Sequence, residues 1–303
     1  MERFEHQFVA MGGPCRFKFD CQDAALAQRA MVVGQAEVSR LENKYSRYLS
    51  DSMTSKINRR AGTGEALAID SETAGLLKFA DTLWRESNGK FDLSSGILRR
   101  AWDFKKDRVP QRSELQELLP LIDWKAIYWN TKSVYLPERG MEIDFGGFVK
   151  EYACDCVAKV LLEIGVCHAL IDLAGDIAVT GTQHNDAPWP IGIRKPGKAM
   201  QAIAEVQISR GGLASSGDYE RYIEIAGKRY GHILDSETGW PVEGLTAVSV
   251  LADQCLVAGS AATIAMLKPS AQALQWLEQL GLPWFAVDED LQCHGQIFER
   301  ESR

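Results

Sequence analysis

The chain has 303 residues, of which 46% are hydrophobic and 25% are charged, and its formal net charge is −7. These values fit a globular protein of one large domain or two closely packed subdomains, and the acidic balance argues against a nucleic-acid partner. No stretch approaches the roughly 18 apolar residues of a membrane span, and the N-terminus lacks the apolar core of a signal peptide. We therefore expect no membrane span and a cytoplasmic protein.

The first third of the chain predicts an interrupted strand followed by two long helices. Residues 8–19 alternate as a strand, interrupted by a turn at Met11-Gly12-Gly13. Apolar residues at helical spacing predict a helix over 24–45, capped by Asp23, and a second over 71–87. Residues 45–52 form a polar segment between them.

The middle of the chain contains the stretch around which we expect the rest to be organised. A short helix at 113–119 and a hairpin at 127–136 precede it. Alternating Met141, Ile143 and Phe145 predict a strand, the next two glycines predict a turn, and a helix should run over 148–164.

Strand, glycine turn and helix start would present backbone N–H groups at the positive end of a helix dipole. Asp144 and Lys150 flank this turn, so an anion could meet backbone donors and an ammonium group together. The alternative is a tight strand-to-helix connection without a ligand, and the glycine pair by itself does not decide between them.

The last part of the chain predicts meandering strands and two helices. Strands are expected at 169–180, broken at Ala174-Gly175, and at 189–194, 202–208, 222–225, 229–234, 245–252 and 284–287. Helices are expected at 255–267 and 272–280. Since the regular alternation of strand and helix is missing, the fold class should be α+β with mostly antiparallel sheets and packed helices.

Several ordered blocks resemble the ApbE family, the FAD:protein FMN transferases. The family's F-x-A-M-G-T is matched at residues 8–13, F-D-P-T-x-G at 91–96, and D-x-G-G-x-x-K-G-Y-A-x-D at 144–155. Its S-G-D-Y-E and H-I-x-D-P-x-T-G-x-P blocks are matched at residues 216–220, which end at Glu220, and 232–241. The blocks occur in the family's order over nearly the whole chain.

The resemblance implies a single ApbE-like domain over residues 1–303, related to the tunnelling (T-fold) domains, that binds FAD as a substrate. It implies transfer of FMN from FAD to a Ser or Thr hydroxyl of an acceptor flavoprotein, with release of AMP and dependence on Mg²⁺. Catalysis of this kind relies on positioning and on neutralising the diphosphate charge. Two alternatives stay open, namely a non-catalytic FAD-binding relative and an FAD pyrophosphatase that forms FMN and AMP.

The resemblance also implies the site residues. The FAD-binding residues would be Met11, Tyr48, Lys90, Phe91, Asp92, Asp144, Lys150, His232 and Ile233. Lys150 and His232 would be the catalytic residues, and Lys150 suits a cation that faces phosphate. Gly147 would offer a carbonyl oxygen to the metal, and Thr263 would offer its hydroxyl or backbone oxygen.

The chain departs from the family pattern where a metal carboxylate is expected. The family's last block reads A-D-A-x-x-T, but Gly259 stands at the position of the Asp. Without that carboxylate the affinity for a hard cation should fall, and Gly259→Asp should raise it. Glu151 replaces a family Gly and adds a negative charge beside Lys150, and Arg47 replaces a family Thr.

Overall fold

An eight-stranded antiparallel sheet runs through the centre of the fold, in the spatial order β1-β2-β6-β7-β10-β13-β14-β15. The computed structural model describes residues 1–104, 106, 108–219 and 221–296, without the side chains of 198–200, so Glu220 lies outside the described residues. The strands are β1 (Glu2–Ala10), β2 (Gly13–Cys21), β3 (Leu67–Ala68), β4 (Tyr128–Trp129), β5 (Ser133–Tyr135), β6 (Ala169–Leu173), β7 (Asp176–Val179), β8 (Trp189–Lys195), β9 (Lys198–Ile208), β10 (Gly211–Gly217), β11 (Tyr222–Ile225), β12 (Lys228–Gly231), β13 (Ala247–Ala252), β14 (Trp284–Val287) and β15 (Cys293–Gly295).

The described residues form the helices α1 (Ala24–Tyr45), α2 (Met53–Arg59), α3 (Ser71–Glu86), α4 (Arg112–Leu118), α5 (Val149–Glu163), α6 (Cys255–Met266) and α7 (Ser270–Leu280). Helix α1 packs on β1 and β2 of the central sheet. Helix α5 packs on β6 and β7, α6 packs on β10 and β13, and the two helices contact each other. Most side chains of α6 are buried, as expected for an apolar helix between a sheet and other helices. The α+β class is confirmed.

Two smaller clusters complete the architecture. The β8–β9 hairpin covers the other face of the sheet with Trp189, Ile191 and Val206, which pack on sheet residues such as Phe285. Near β11 and β12, the Trp102 ring stacks on Phe104 with centroids 5.7 Å apart. No helix within the described ranges is long and apolar enough to cross a bilayer.

The strand predicted from Met141, Ile143 and Phe145 is wrong. All three side chains are buried, but residues 141–144 are in no strand ladder, and Phe145–Gly147 is a 3₁₀ turn. The amide of Asn58 replaces a neighbouring strand, because it accepts from Ile143 N–H at 2.8 Å and donates to its carbonyl at 3.0 Å. Burial alternates as in a strand although the backbone partner is a side chain.

Candidate functional site

The loop that leads into α5 is open to solvent at Gly146 and Gly147. Asp144 Oδ1 accepts from Gly146 N–H at 2.9 Å, and Phe148 N–H donates to the Phe145 carbonyl at 3.2 Å. Two of the backbone donors expected for an anion are thus used within the loop. Phe148 is the N-cap residue and gives α5 no side-chain cap, so the first-turn N–H groups of the helix remain suited to an anion.

Asp144 is held from a second side by Arg47. The two side chains form an ion pair, and the Arg47 guanidinium also donates to Tyr48 Oη at 3.0 Å. The Tyr48 side chain is 81% exposed, and Arg47 lies 5.1 Å from its ring centroid. From the sequence, Arg47 is only a departure from the family pattern. Its partner shows that it connects two predicted site residues.

Lys90, Phe91 and Asp92 reach the same region with different roles. A Cβ on Gly147 would lie 3.1 Å from the Phe91 ring, so this ring forms a wall of the loop. Lys90 Nζ pairs with Asp235 Oδ2 at 2.8 Å.

Asp92 is buried, and both of its carboxylate oxygens are used inside the protein. Oδ1 accepts from the backbone N–H and hydroxyl of Ser94, and Oδ2 accepts from Trp124 N–H at 3.1 Å. Asp92 therefore fixes the backbone around the loop rather than presenting an oxygen to the open side.

Lys150, in the first turn of α5, is paired with a buried carboxylate. Its Nζ lies 2.6 Å from Asp176 Oδ2, and Asp176 is 2% exposed. Burial lowers the pKa of Lys150, but the Asp176 and Glu151 carboxylates outweigh this effect and hold that pKa above the usual range. Lys150 therefore carries a positive charge at neutral pH. Asp176 was not among the site residues predicted from the sequence. Its position directly after the predicted Ala174-Gly175 turn could have indicated it.

Glu151 lies against Gly259 of α6. A Cβ atom on Gly259 would be 2.5 Å from Glu151 Cγ and 2.6 Å from its Oε1, so the Glu151 carboxyl group fills the space of a side chain at 259. Glu151 is 8% exposed, and its Oε2 has no hydrogen-bond partner among the described residues. Burial and the Asp176 carboxylate raise the pKa of Glu151 to about 8.

Asp155 fixes how α5 and α6 face each other. Its carboxylate accepts from Cys255 N–H at 2.8 Å and from Leu256 N–H at 2.9 Å, at the start of α6. One turn back along α5 is Glu151, and one turn forward along α6 is Gly259. The helices are therefore antiparallel here, and a further turn directs Thr263 toward Gly147.

The remaining predicted site residues lie on two other segments. Met11 is in the β1–β2 turn at φ 50°, and the next residues of this turn lie beside the β6–β7 turn that precedes Asp176. His232 and Ile233 follow β12. His232 Nδ1 contacts the Arg221 carbonyl at 3.2 Å, and its ring meets Phe104 edge-on at 6.5 Å. These contacts do not join His232 to Lys150.

A metal ion at this site could not be bound by a cluster of acidic side chains alone, so it would need other oxygen ligands as well. In the described part of the chain, no three His, Cys, Asp or Glu side chains come together as a metal centre. Mg²⁺ is commonly bound by one or two carboxylates together with substrate phosphates, so such a cluster is not required. The Glu151 carboxyl group, with an oxygen that has no partner among the described residues, fits this chemistry, and the register of α5 and α6 places Gly147 and Thr263 toward the same end of the helix pair.

Comparison with known proteins gives a consistent assignment. The model of the ApbE family matches residues 11–285. The FAD:protein FMN transferase of Vibrio cholerae is 30% identical over 82% of this chain and 77% of its own length. That of Klebsiella pneumoniae is 30% identical over 84% of this chain and 78% of its own length.

Solved structures agree with this assignment. An ApbE protein of Thermotoga maritima superposes with a TM-score of 0.90 at 27% identity and covers 99% of this chain and all of its own. The apo flavinyl transferase ApbE of Pseudomonas stutzeri gives a TM-score of 0.86 at 25% identity, over 97% of this chain and 95% of its own.

Proposed function

Since this chain belongs to the ApbE family, we propose that it is an FAD:protein FMN transferase acting as a single domain over residues 1–303. A Ser or Thr hydroxyl of an acceptor flavoprotein attacks the phosphorus on the FMN side of FAD. The bond from that phosphorus to the bridging oxygen breaks, AMP leaves, the hydroxyl loses its proton, and FMN stays on the acceptor as a phosphoester. A cytoplasmic location remains a prediction from the sequence.

The start of α5 supports this proposal most directly. The Gly146-Gly147 turn is exposed and can be approached by a diphosphate, and Lys150 supplies a fixed positive charge in the first turn of the helix. Because Asp176 holds the Lys150 ammonium in place, this charge needs little rearrangement as negative charge builds up on the leaving AMP. The Phe91 ring and the exposed Tyr48 ring would contact the flavin or adenine rings.

His232 would accept the proton of the acceptor hydroxyl. Its Nδ1 faces the Arg221 carbonyl, which favours the neutral tautomer with the proton on Nδ1 and makes Nε2 the basic nitrogen.

Mg²⁺ dependence is part of the same proposal. Gly147 and Thr263 would hold the ion, which when bound would neutralise diphosphate charge. Lys150 supplies a complementary positive charge from the protein itself.

Incubation of the chain with FAD, Mg²⁺ and an acceptor flavoprotein tests the proposal. AMP release together with in-gel flavin fluorescence of the acceptor supports transfer, and an acceptor with its target Ser or Thr changed to Ala is the control. AMP release without any acceptor would instead indicate a pyrophosphatase. FAD binding without AMP release would indicate a non-catalytic relative, the reading that the missing Asp at Gly259 favours.

A further inference from the structure

Glu151 is a buried acid with incomplete partners. Its side chain is in the first turn of α5, it is 8% exposed, and its Oε2 has no hydrogen-bond partner among the described residues. An unpartnered buried carboxylate is costly, and such groups are normally paired or bound to a metal. Its presence at this position therefore calls for a partner that the described residues do not provide.

The neighbouring positive charge does not fill this role. Lys150 Nζ pairs with Asp176 Oδ2 at 2.6 Å. Glu151 and Asp176 thus share one ammonium group, so the site has one negative charge in excess when both carboxyl groups are ionised. A divalent cation would neutralise this charge and supply a ligand for the unpartnered oxygen.

The surroundings of Glu151 match the needs of a hard cation. Gly259 leaves the space into which the Glu151 carboxyl group extends, since a Cβ there would lie 2.6 Å from Oε1. The antiparallel register set by Asp155 directs Thr263, one turn beyond Gly259, toward Gly147 at the start of α5. Carboxylate, hydroxyl and carbonyl oxygens are the ligands that Mg²⁺ prefers.

We propose that Glu151 is the metal carboxylate of this protein, reaching from α5 into the space that Gly259 leaves open on α6. The proposal rests on the proposed function, because it concerns the Mg²⁺ ion used there.

Metal binding by the full chain provides the test. The metal-stripped protein is titrated with Mn²⁺, without FAD and with it, and free Mn²⁺ is followed by electron paramagnetic resonance, with Mg²⁺ as competitor. Glu151→Gln should weaken Mn²⁺ binding at least about tenfold, since loss of even a supporting group near a metal commonly costs that much. Glu163→Gln, an exposed change of the same charge on the same helix, should leave the affinity unchanged.

Two further variants keep the test decisive if Glu151→Gln does not fold, as judged by circular dichroism. Gly259→Ala places a methyl group 2.5 Å from Glu151 Cγ, so it should displace the carboxylate and weaken Mn²⁺ binding without any change of charge. The double variant Glu151→Ala/Gly259→Asp should regain binding, because the carboxylate then comes from α6 into the same space. Wild-type affinity in both Glu151→Gln and Gly259→Ala, or no Mn²⁺ binding by the wild type, overturns the inference.

AMP release measured on the same samples separates this inference from the proposed function. A wild type that binds Mn²⁺ through Glu151 but releases no AMP supports the inference and contradicts the transferase. A wild type that transfers FMN while Glu151→Gln binds Mn²⁺ normally contradicts the inference alone.

Discussion

The Lys150 ammonium lies 2.6 Å from Asp176 Oδ2, and Asp176 is almost completely buried. Lys150 is therefore both a candidate phosphate ligand and the partner of a buried charge. The two roles can be separated, because one depends on FAD and the other is present in the free protein.

Lys150→Met should weaken FAD binding and also destabilise the fold. It removes the proposed phosphate contact and leaves Asp176 unpaired, which costs on the order of 3 kcal/mol when a buried pair loses one member. Flavin fluorescence titration and urea unfolding measure the two effects. Lys159→Met, an exposed change on the same helix, should alter neither.

The double variant Lys150→Met/Asp176→Asn should recover much of the stability, because the unpaired charge is gone, while FAD binding stays weak. Full recovery of FAD affinity in the double variant would mean that Lys150 acts only through the ion pair and does not touch the diphosphate.

Gly259→Asp should destabilise the protein instead of simply strengthening metal binding. The sequence predicts a gain in Mg²⁺ affinity, but the new side chain would enter the space of the Glu151 carboxyl group. Overpacking in a buried site commonly costs about 1–3 kcal/mol, and two like charges would add to this cost. Thermal unfolding of Gly259→Asp and of the same change combined with Glu151→Ala measures the effect. Equal melting temperatures of the single and the double variant would contradict the packing of Glu151 against residue 259.

Asp92→Asn should reduce stability without weakening FAD binding per folded molecule. An amide NH₂ would face the N–H of Ser94 or Trp124, and a lost hydrogen bond of this kind costs about 2 kcal/mol. Urea unfolding and FAD titration together check this expectation, with exposed Asp51→Asn as control. Weaker FAD binding at unchanged stability would instead indicate that Asp92 contacts FAD directly.

The loss of folding stability at acid pH should depend on Glu72. Hydrogen bonds from Arg40, at 2.7 and 2.8 Å, and from Lys44 lower the pKa of Glu72 from 4.5 to about 2. Because the folded-state pKa is depressed, the stabilisation is present above pH 4.5 and disappears as the pH falls toward 2. Urea unfolding over this range should show a smaller pH dependence for Glu72→Gln than for wild type. Identical slopes would show that the ion pairs contribute nothing.

The sequence predicts the long helices well because their signals are local. The helix at 24–45 has the predicted limits, and Asp23 caps it by accepting from Leu26 N–H at 2.8 Å. Strand β14 also has its predicted limits. Each of these elements combines a clear apolar period with a recognisable end.

Some polar stretches that belong to helices or strands were not predicted as such. Residues 211–217, for which no strand was predicted, form the central strand β10, where Ser215 and Ser249 form a hydroxyl pair at 2.7 Å across the ladder. The polar stretch after α1 leads into helix α2, whose cap is Ser52. In both cases a polar side chain satisfies its hydrogen bonds inside the fold, so low hydrophobicity does not indicate a loop.

The candidate site also has a part that could be predicted from local sequence and a part that could not. The loop from Asp144 to Lys150 could be found from glycine spacing, but the contact of Glu151 with Gly259 depends on the register of two helices more than a hundred residues apart. No local pattern reports that register. It becomes visible only through Asp155, which joins the helices.

The hydrogen bonds that Asp155 accepts from the Cys255 and Leu256 amides have a kinetic consequence. Those two amide protons can exchange with deuterated solvent only when the start of α6 separates from α5, the same opening that moves Gly259 away from Glu151. An ion bound between the helices would have to leave, or strain, each time this happens. The hydrogen-exchange rate of these two amides would therefore report the residence time of the bound ion.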